Sequence, residues 1–175
     1  SILKAIARPA EKVKMWDEYQ DIFLTRQRIK KGQEFLILHK DTLARAEKEY
    51  GVPAEIITAI IGVETYYGRQ GGKYLVLDSL ATLAFDYPKR SLFWRELKEY
   101  LLMLREQGLD ASVVKGSYAG AMGYGQFMPS SYRAYAVDFD GDGKTDIIGN
   151  PIDAIGSVGN YFKRHGWRSG QDVVT

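Results

Sequence analysis

Apolar residues recur along this chain at helical rather than strand spacing. Between Ser91 and Gln107, Leu92, Leu97, Leu101, Leu102 and Leu104 mark one helix face, and Gly108 ends the pattern. Thr25 suits an N-cap for a helix that starts at Arg26 and runs, with a kink, toward Tyr50. Gly51 stops it, and Pro53 suits the first turn of the next helix, Ala54 to Glu64. That helix carries Ile56-Ile57-Thr58-Ala59-Ile60-Ile61-Gly62-Val63, an almost wholly apolar run, so it reads as a buried helix. Shorter helical pieces are predicted from Glu11 to about Tyr19, from Leu80 to Ala84 before Tyr87-Pro88, and from a cap at Ser130 or Ser131 to about Val137. A last helix opens at Pro151 and ends at Gly166. Strand character is limited to a hairpin-like patch around Tyr74 to Leu77. Gly68, Gly71 and Gly72 mark a loop, 116–129 is glycine-rich and irregular, and 138–150 is acidic. There is no internal repeat, low-complexity segment or linker, so the expected fold is mainly α and a single domain.

Composition narrows the class further. A chain of 175 residues can bury roughly 70% of the surface that it exposes when unfolded. Its 45% apolar and 26% charged residues are ordinary for a globular protein. A net charge of +2, with no long basic block, argues against nucleic acid. The locally basic segment from Arg26 to Lys31 reads as a solvated helix face. Cysteine is absent, which excludes disulfides and thiolate metal sites. No apolar run has the length of a membrane span. The chain opens at Ser1 without a signal-like segment and reads as a mature or trimmed form. Its 12 tyrosines and three tryptophans supply flat apolar faces with polar handles, which suits sugar rings. Most of them are expected to serve in packing.

The candidate chemistry begins with Glu64. A carboxylate at the end of an apolar helix loses hydration, which raises its pKa. A carboxylic acid still protonated near neutral pH can donate a proton to a leaving group. A glutamate near a helix end is more often a solvated surface residue, but the second constellation raises its standing. Gly116-Ser117-Tyr118-Ala119-Gly120-Ala121-Met122-Gly123-Tyr124-Gly125-Gln126-Phe127-Met128-Pro129 combines small residues, which let backbone approach a ligand, with aromatics and an amide. Gln126 offers both a donor and an acceptor to a sugar.

The Glu64-Thr65-x-x-Gly68 element, Gly120-Ala121-Met122-Gly123 running into Gln126-Phe127-Met128-Pro129, and Asn160-Tyr161-Phe162 together resemble the lytic transglycosylase B family. The stretch from Asp78 to Pro88 also matches, and the resemblance covers about Trp16 to Trp167. It implies a lysozyme-like helical fold with a small β-hairpin element: an N-terminal helical part over 1–50, then a core over 51–170. It further implies an enzyme that cleaves bacterial peptidoglycan, located in the periplasm or cell envelope, monomeric, with glycan strands as partner and no organic cofactor. Membrane association would run through a segment outside this chain, and the family's C-terminal extension would be missing. Glu64 matches the family's single catalytic acid/base, Ser117 a hydroxyl near that carboxylate, and Gln126 a sugar contact. Phe127, Met128 and Tyr124 belong to the cleft segment, Tyr161 matches a tyrosine beside the glutamate, and Tyr19 an N-terminal cleft tyrosine. Arg90, with Lys89, matches a basic pair on the stem-peptide side, where a guanidinium can pair with carboxylates. Two other readings remain: a muramidase that lets water attack, for which Asp78 or Asp86 would be a second carboxylate, and a binding module without activity.

Asp138-Phe139-Asp140-Gly141-Asp142-Gly143-Lys144 has the opening of an EF-hand calcium loop, with acids at positions 1, 3 and 5, glycine at 6, and a backbone carbonyl from Lys144. Position 8 is Thr145, and position 12 is Gly149 instead of a bidentate glutamate. The resemblance implies a lengthened loop over 138–153, closed by Asp153, with Asp146 as an alternative ligand. A structural Ca2+ is therefore expected.

Overall fold

The computed structural model describes residues 1–7, 15–88 and 90–171. The chain runs through α1 (Ile2–Ile6), α2 (Trp16–Phe23), α3 (Arg26–Leu38), α4 (Lys40–Tyr50), α5 (Ala54–Thr65), β1 (Tyr74–Leu75), α6 (Val76–Asp86), α7 (Arg90–Gln107), β2 (Lys115–Gly116), α8 (Pro129–Tyr135) and α9 (Pro151–Arg164). The fold is mainly helical, as its periodicity demands.

Most boundaries fall where the capping chemistry puts them. Thr25 Oγ1 accepts the Arg28 N–H at 3.1 Å and starts α3. Gly51, at φ 73°, closes α4 in the left-handed region. Asn150 Oδ1 accepts the Ile152 N–H at 2.9 Å, with Pro151 in the first turn of α9. Several features differ from the sequence expectation, among them the first expected helix, which runs on past Tyr19 to Phe23. The segment from Arg26 to Tyr50 is two helices, parted at His39, whose ring packs against Phe35 at 4.4 Å between centroids. The helix expected over Leu80 to Ala84 extends over Val76–Asp86. The cap of α8 is Met128 rather than a serine, with Pro129 as the first helical residue. Ser130 instead donates its N–H and its hydroxyl to the buried Glu96 carboxylate, at 2.9 and 2.7 Å. The short α1 carried no sequence signal, and residues 11–14 of the first expected helix lie outside the described residues.

The β element stands at Tyr74 and Leu75, but its partner is not adjacent in sequence. β1 pairs antiparallel with β2 from beyond α7, Tyr74 opposite Gly116 and Leu75 opposite Lys115. This pairing brings the loop at Gly68–Gly72 alongside the glycine-rich segment.

The core gathers around α5, which contacts α3, α4 and α9. Its Ile57 and Ile61 are fully buried with Leu43, Leu80, Met122 and Ile155, each such side chain contributing about 1.5–3 kcal/mol relative to exposure. α6 lies on α7 and α7 on α8. α9 closes on its neighbours through small residues: a Cβ at Gly156 would stand 2.3 Å from the Phe139 ring, and one at Gly159 2.6 Å from Tyr50. Among the described residues no helix is long and apolar enough to cross a membrane.

Candidate active site

Glu64 sits in the last turn of α5, and the way that helix stops sets its direction. Tyr66 (φ 52°) and Tyr67 (φ 60°) both adopt the left-handed conformation, followed by Gly68 at 81°. Two non-glycine residues there cost about 1–3 kcal/mol each and persist only where the surroundings over-determine them. The surroundings do so. The Tyr66 N–H donates to Gly62 O at 3.1 Å and the Tyr67 N–H to Ile61 O at 3.3 Å. The Arg28 guanidinium also donates to Gly62 O and lies 4.9 Å from the Tyr66 ring centroid, placing a cation at the negative end of the helix. The Tyr67 hydroxyl donates to Arg28 O at 3.1 Å. Its ring occupies a slot between α3 and α5 that exists because Gly32 and Gly62 lack side chains.

The Glu64 carboxylate faces a cavity of 290 Å3 whose lining includes Ile60, Gln126, Phe127, Met128, Val158 and Tyr161. The side chain still reaches water, so the walls remove only part of its hydration. That partial desolvation raises its pKa above the ordinary 4.5. The cavity lining contains no second carboxylate: Asp78 lies in the first turn of α6 and Asp86 at its end.

The opposite wall is a tight loop. Met122 and Phe127 exchange backbone hydrogen bonds of 2.9 and 2.8 Å, and between them Gly123 and Gln126 are left-handed at 71° and 50°. The Gln126 Nε2 donates to Gly71 O at 3.2 Å and Gly123 O at 3.1 Å. Both partners are acceptors, so the amide orientation is fixed and Oε1 is left to accept. Gln126 also lines a neighbouring depression of 500 Å3, which includes Arg69, Tyr74, Ser117 and Tyr118. The two hollows therefore meet at Gln126.

Of the residues singled out in the sequence, the fold brings Glu64, Gln126, Phe127, Met128 and Tyr161 to one cavity. Tyr161 stacks on His165 at 4.0 Å and meets Phe127 at 5.5 Å. Ser117 lies in the adjoining depression, and its hydroxyl accepts from Ala119 N at 3.2 Å and Ala121 N at 3.1 Å instead of bonding Glu64. Tyr124 lines a different, larger cavity of 670 Å3 against the acidic loop; the desolvated glutamate, not volume, picks out the smaller one. Tyr19 stands outside the Glu64 cavity, in an aromatic row with Trp16 and Phe23. Arg90 opens α7; its side chain and Lys89 lie outside the described residues. Sequence reasoning did not single out Arg28 or Thr65. Nothing local marks Arg28, whereas Thr65 was visible inside the glutamate motif.

In the acidic loop, oxygens of Asp138, Asp140 and Asp142 all lie within 4.8 Å of one another. Asp138 Oδ1 accepts from Gly141 N at 2.7 Å and its Oδ2 from Gly143 N at 2.8 Å. The Asn150 amide donates to Asp140 at 2.7 Å and holds that carboxyl below its usual range. Asp153 is fully buried beneath the loop and outside this cluster. Its Oδ1 accepts from Phe139 N at 2.7 Å and Asp140 N at 3.3 Å, and its Oδ2 from Asp146 N at 2.7 Å. Burial pushes its pKa up against those bonds. The donor set of three clustered carboxylates suits a hard divalent cation, and Asp153, the acid expected to close the loop, lies beneath it holding three of its backbone N–H groups.

A partly desolvated glutamate on an apolar helix thus faces an amide-bearing glycine loop within a mainly helical, lysozyme-like fold. The whole chain, residues 1–175, matches the family model described as a transglycosylase SLT domain, and the chain belongs to that family. It is 54% identical over 160 residues to the membrane-bound lytic murein transglycosylase B of Escherichia coli (strain K12), covering 91% of this chain and 44% of that protein. Its fold is similar to the crystal structure of the soluble lytic transglycosylase SltB1 from Pseudomonas aeruginosa, with a TM-score of 0.94, 61% identity, and coverage of 98% of this chain and 58% of that one. It is also similar to the Escherichia coli lytic transglycosylase Slt35 solved in complex with calcium, with a TM-score of 0.87, 53% identity, and coverage of 90% and 51%. The chain thus spans about half the length of these relatives.

Proposed function

We propose that this chain is the catalytic part of a lytic transglycosylase that cleaves peptidoglycan between N-acetylmuramic acid and N-acetylglucosamine. The observation that carries the reading is the single desolvated Glu64 in a cavity without a second carboxylate. Glycosidases generally use two carboxylates, with substrate assistance as a known exception. Here one suffices. Protonated Glu64 gives its proton to the glycosidic oxygen as that bond to C1 breaks, and the muramyl 2-acetamido oxygen stabilises the cation. Ionised Glu64 then takes the proton of the same sugar's 6-hydroxyl as that oxygen bonds to C1. The glutamate ends protonated, as it began, and the product is a 1,6-anhydromuramic end. The nucleophile is already held on the substrate, so little entropy is lost in bringing it to C1.

Gln126 offers its free Oε1 to a sugar N–H or hydroxyl, while Phe127, Met128 and Tyr161 give apolar faces for the ring. Ser117 contacts sugar in the adjoining depression. In this reading Ca2+ has a structural role and takes the carboxylates of Asp138, Asp140 and Asp142 with the carbonyl of Lys144. It supplies charge neutralisation, not chemistry. The cell envelope, on its periplasmic side, is the compartment where such a monomeric enzyme meets its glycan strands.

The test is mass spectrometry of purified peptidoglycan digested by the protein and by Glu64→Gln. Muropeptides one water lighter than hydrolysed ones, absent with Glu64→Gln, are the expected result. Hydrated reducing ends would make it a muramidase, and binding without products a recognition module.

A further inference from the structure

Glu64 and Gln126 stand on different elements, and their separation must be held within a fraction of an ångström for one to protonate a bond that the other helps to orient. One buried hydroxyl joins the two elements. Thr65 is 1% exposed. Its Oγ1 donates to Tyr124 O at 2.9 Å, sharing the proton with Ile61 O at 3.2 Å, a three-centre arrangement common at helix ends. The same oxygen accepts the Gly68 N–H at 3.0 Å, and the Thr65 carbonyl accepts the Gln70 N–H at 2.8 Å. Tyr124 lies inside the loop closed by Met122 and Phe127, two residues before Gln126. It is fixed on its other side by its N–H to Ile147 O at 3.0 Å. The Tyr124 ring also fills the space over Gly68, where a Cβ would stand 2.1 Å from it.

We propose that Thr65 is a positioning residue: its hydroxyl clips the catalytic turn to the loop of Gln126 and so sets the spacing between the Glu64 acid and the sugar-binding amide. The inference rests on the reading of Glu64 given above. The hydroxyl carries the role because its proton and its lone pair are both used, each toward a different segment. The γ-methyl fills space only. Thr65 does not touch the glycosidic bond.

Two variants separate these contributions. Thr65→Val keeps the shape and removes the hydroxyl, and Thr65→Ser keeps the hydroxyl and removes the methyl. Each is compared with the parent for kcat and KM on soluble glycan strands, for melting temperature, and for hydrogen exchange at the Gly68 amide. Thr65→Val is expected to lower kcat roughly tenfold or more while KM stays within about twofold, and to lose protection at Gly68. Thr65→Ser is expected to restore kcat to within about threefold of the parent and to keep that protection. Equal losses in both variants, or a valine variant with parental kcat, overturn the inference. A parent that yields no product overturns the transglycosylase reading, and the Gly68 amide then decides the clip by itself: unchanged protection in Thr65→Val removes it.

Discussion

At the scale of the residue, Glu64 combines accessibility with a pKa raised by partial desolvation. The acid step needs its protonated form, so kcat/KM falls as pH rises through the raised value. A pH–rate profile is expected to place that limb above 4.5, the ordinary glutamate value; a limb at or below it would remove the desolvation argument. The same shift has a consequence for stability. Because the folded-state pKa lies above the unfolded one, the unfolded chain releases its proton first as pH rises, and stability is lost through that window. Glu64→Gln should therefore melt higher than the parent at pH 7 while being inactive, a combination that simple damage to the fold cannot produce. Tyr100 gives a second residue-level expectation. It is fully buried in the core, its hydroxyl has no partner among the described residues, and burial pushes its pKa to about 12. An unsatisfied buried hydroxyl costs about 1–3 kcal/mol. Tyr100→Phe is expected to leave stability unchanged or to raise it in chemical denaturation, and a loss above about 1 kcal/mol would reveal a bond that the structure does not contain.

Elements here are positioned by what they lack as much as by what they carry. α9 can lie against Phe139 and Tyr50 because Gly156 and Gly159 have no side chains. Gly156→Ala sets two effects against each other. Helix propensity gains about 1 kcal/mol, while a methyl 2.3 Å from the Phe139 ring over-packs the contact at about 1–3 kcal/mol. Phe139 cannot easily yield, because the Arg45 guanidinium lies 3.8 Å from its ring centroid and donates to its carbonyl. Net destabilisation is expected in a denaturant titration; a more stable variant would show that the contact is loose. Phe139 stands between Asp138 and Asp140, so the same substitution is expected to weaken cation binding measured by calorimetry. The ends of the elements show how far local chemistry reaches. Thr25 and Gly51 act as caps in the fold as they read in the sequence, and Pro151 opens α9 where the sequence put it, with Asn150 as its cap. The start of α8 depends instead on a partner that the neighbouring helix α7 supplies, Glu96, whereas the break at His39 is accompanied by a local contact with Phe35, four residues earlier.

Across the whole molecule, the acidic loop and the Glu64 cavity are parts of one framework. The Ile147 carbonyl at the end of the acidic loop receives the Tyr124 N–H, and the Tyr124 carbonyl receives the Thr65 hydroxyl. Three neighbouring carboxylates repel one another unless a cation is present, so the folded state should gain from Ca2+ by mass action. At a hundredfold excess over Kd this amounts to about 2.7 kcal/mol. Melting temperature is expected to rise with added Ca2+ and to fall with a chelator, and Asp142→Asn, which removes one ligand charge, should blunt the response. Indifference of the parent to the cation would leave the loop as an acidic turn.

The sequence by itself determined the helical class, most helix boundaries, the family, Glu64 as the acid candidate and the acidic ligand cluster. It could do so because capping, periodicity and ligand spacing are local properties, written within a few residues of where they act. Tertiary structure decided what depends on partners distant in the chain. It paired Tyr74 with Gly116, drew Tyr161 up to Phe127, set the Ser117 hydroxyl against the N–H groups of Ala119 and Ala121, and buried Asp153 beneath the acidic loop. It also built the two left-handed tyrosines that end α5, held by Arg28 from another helix and by the space left at Gly32. No local preference favours such a turn; it exists because contacts from several elements together outweigh the strain of its backbone.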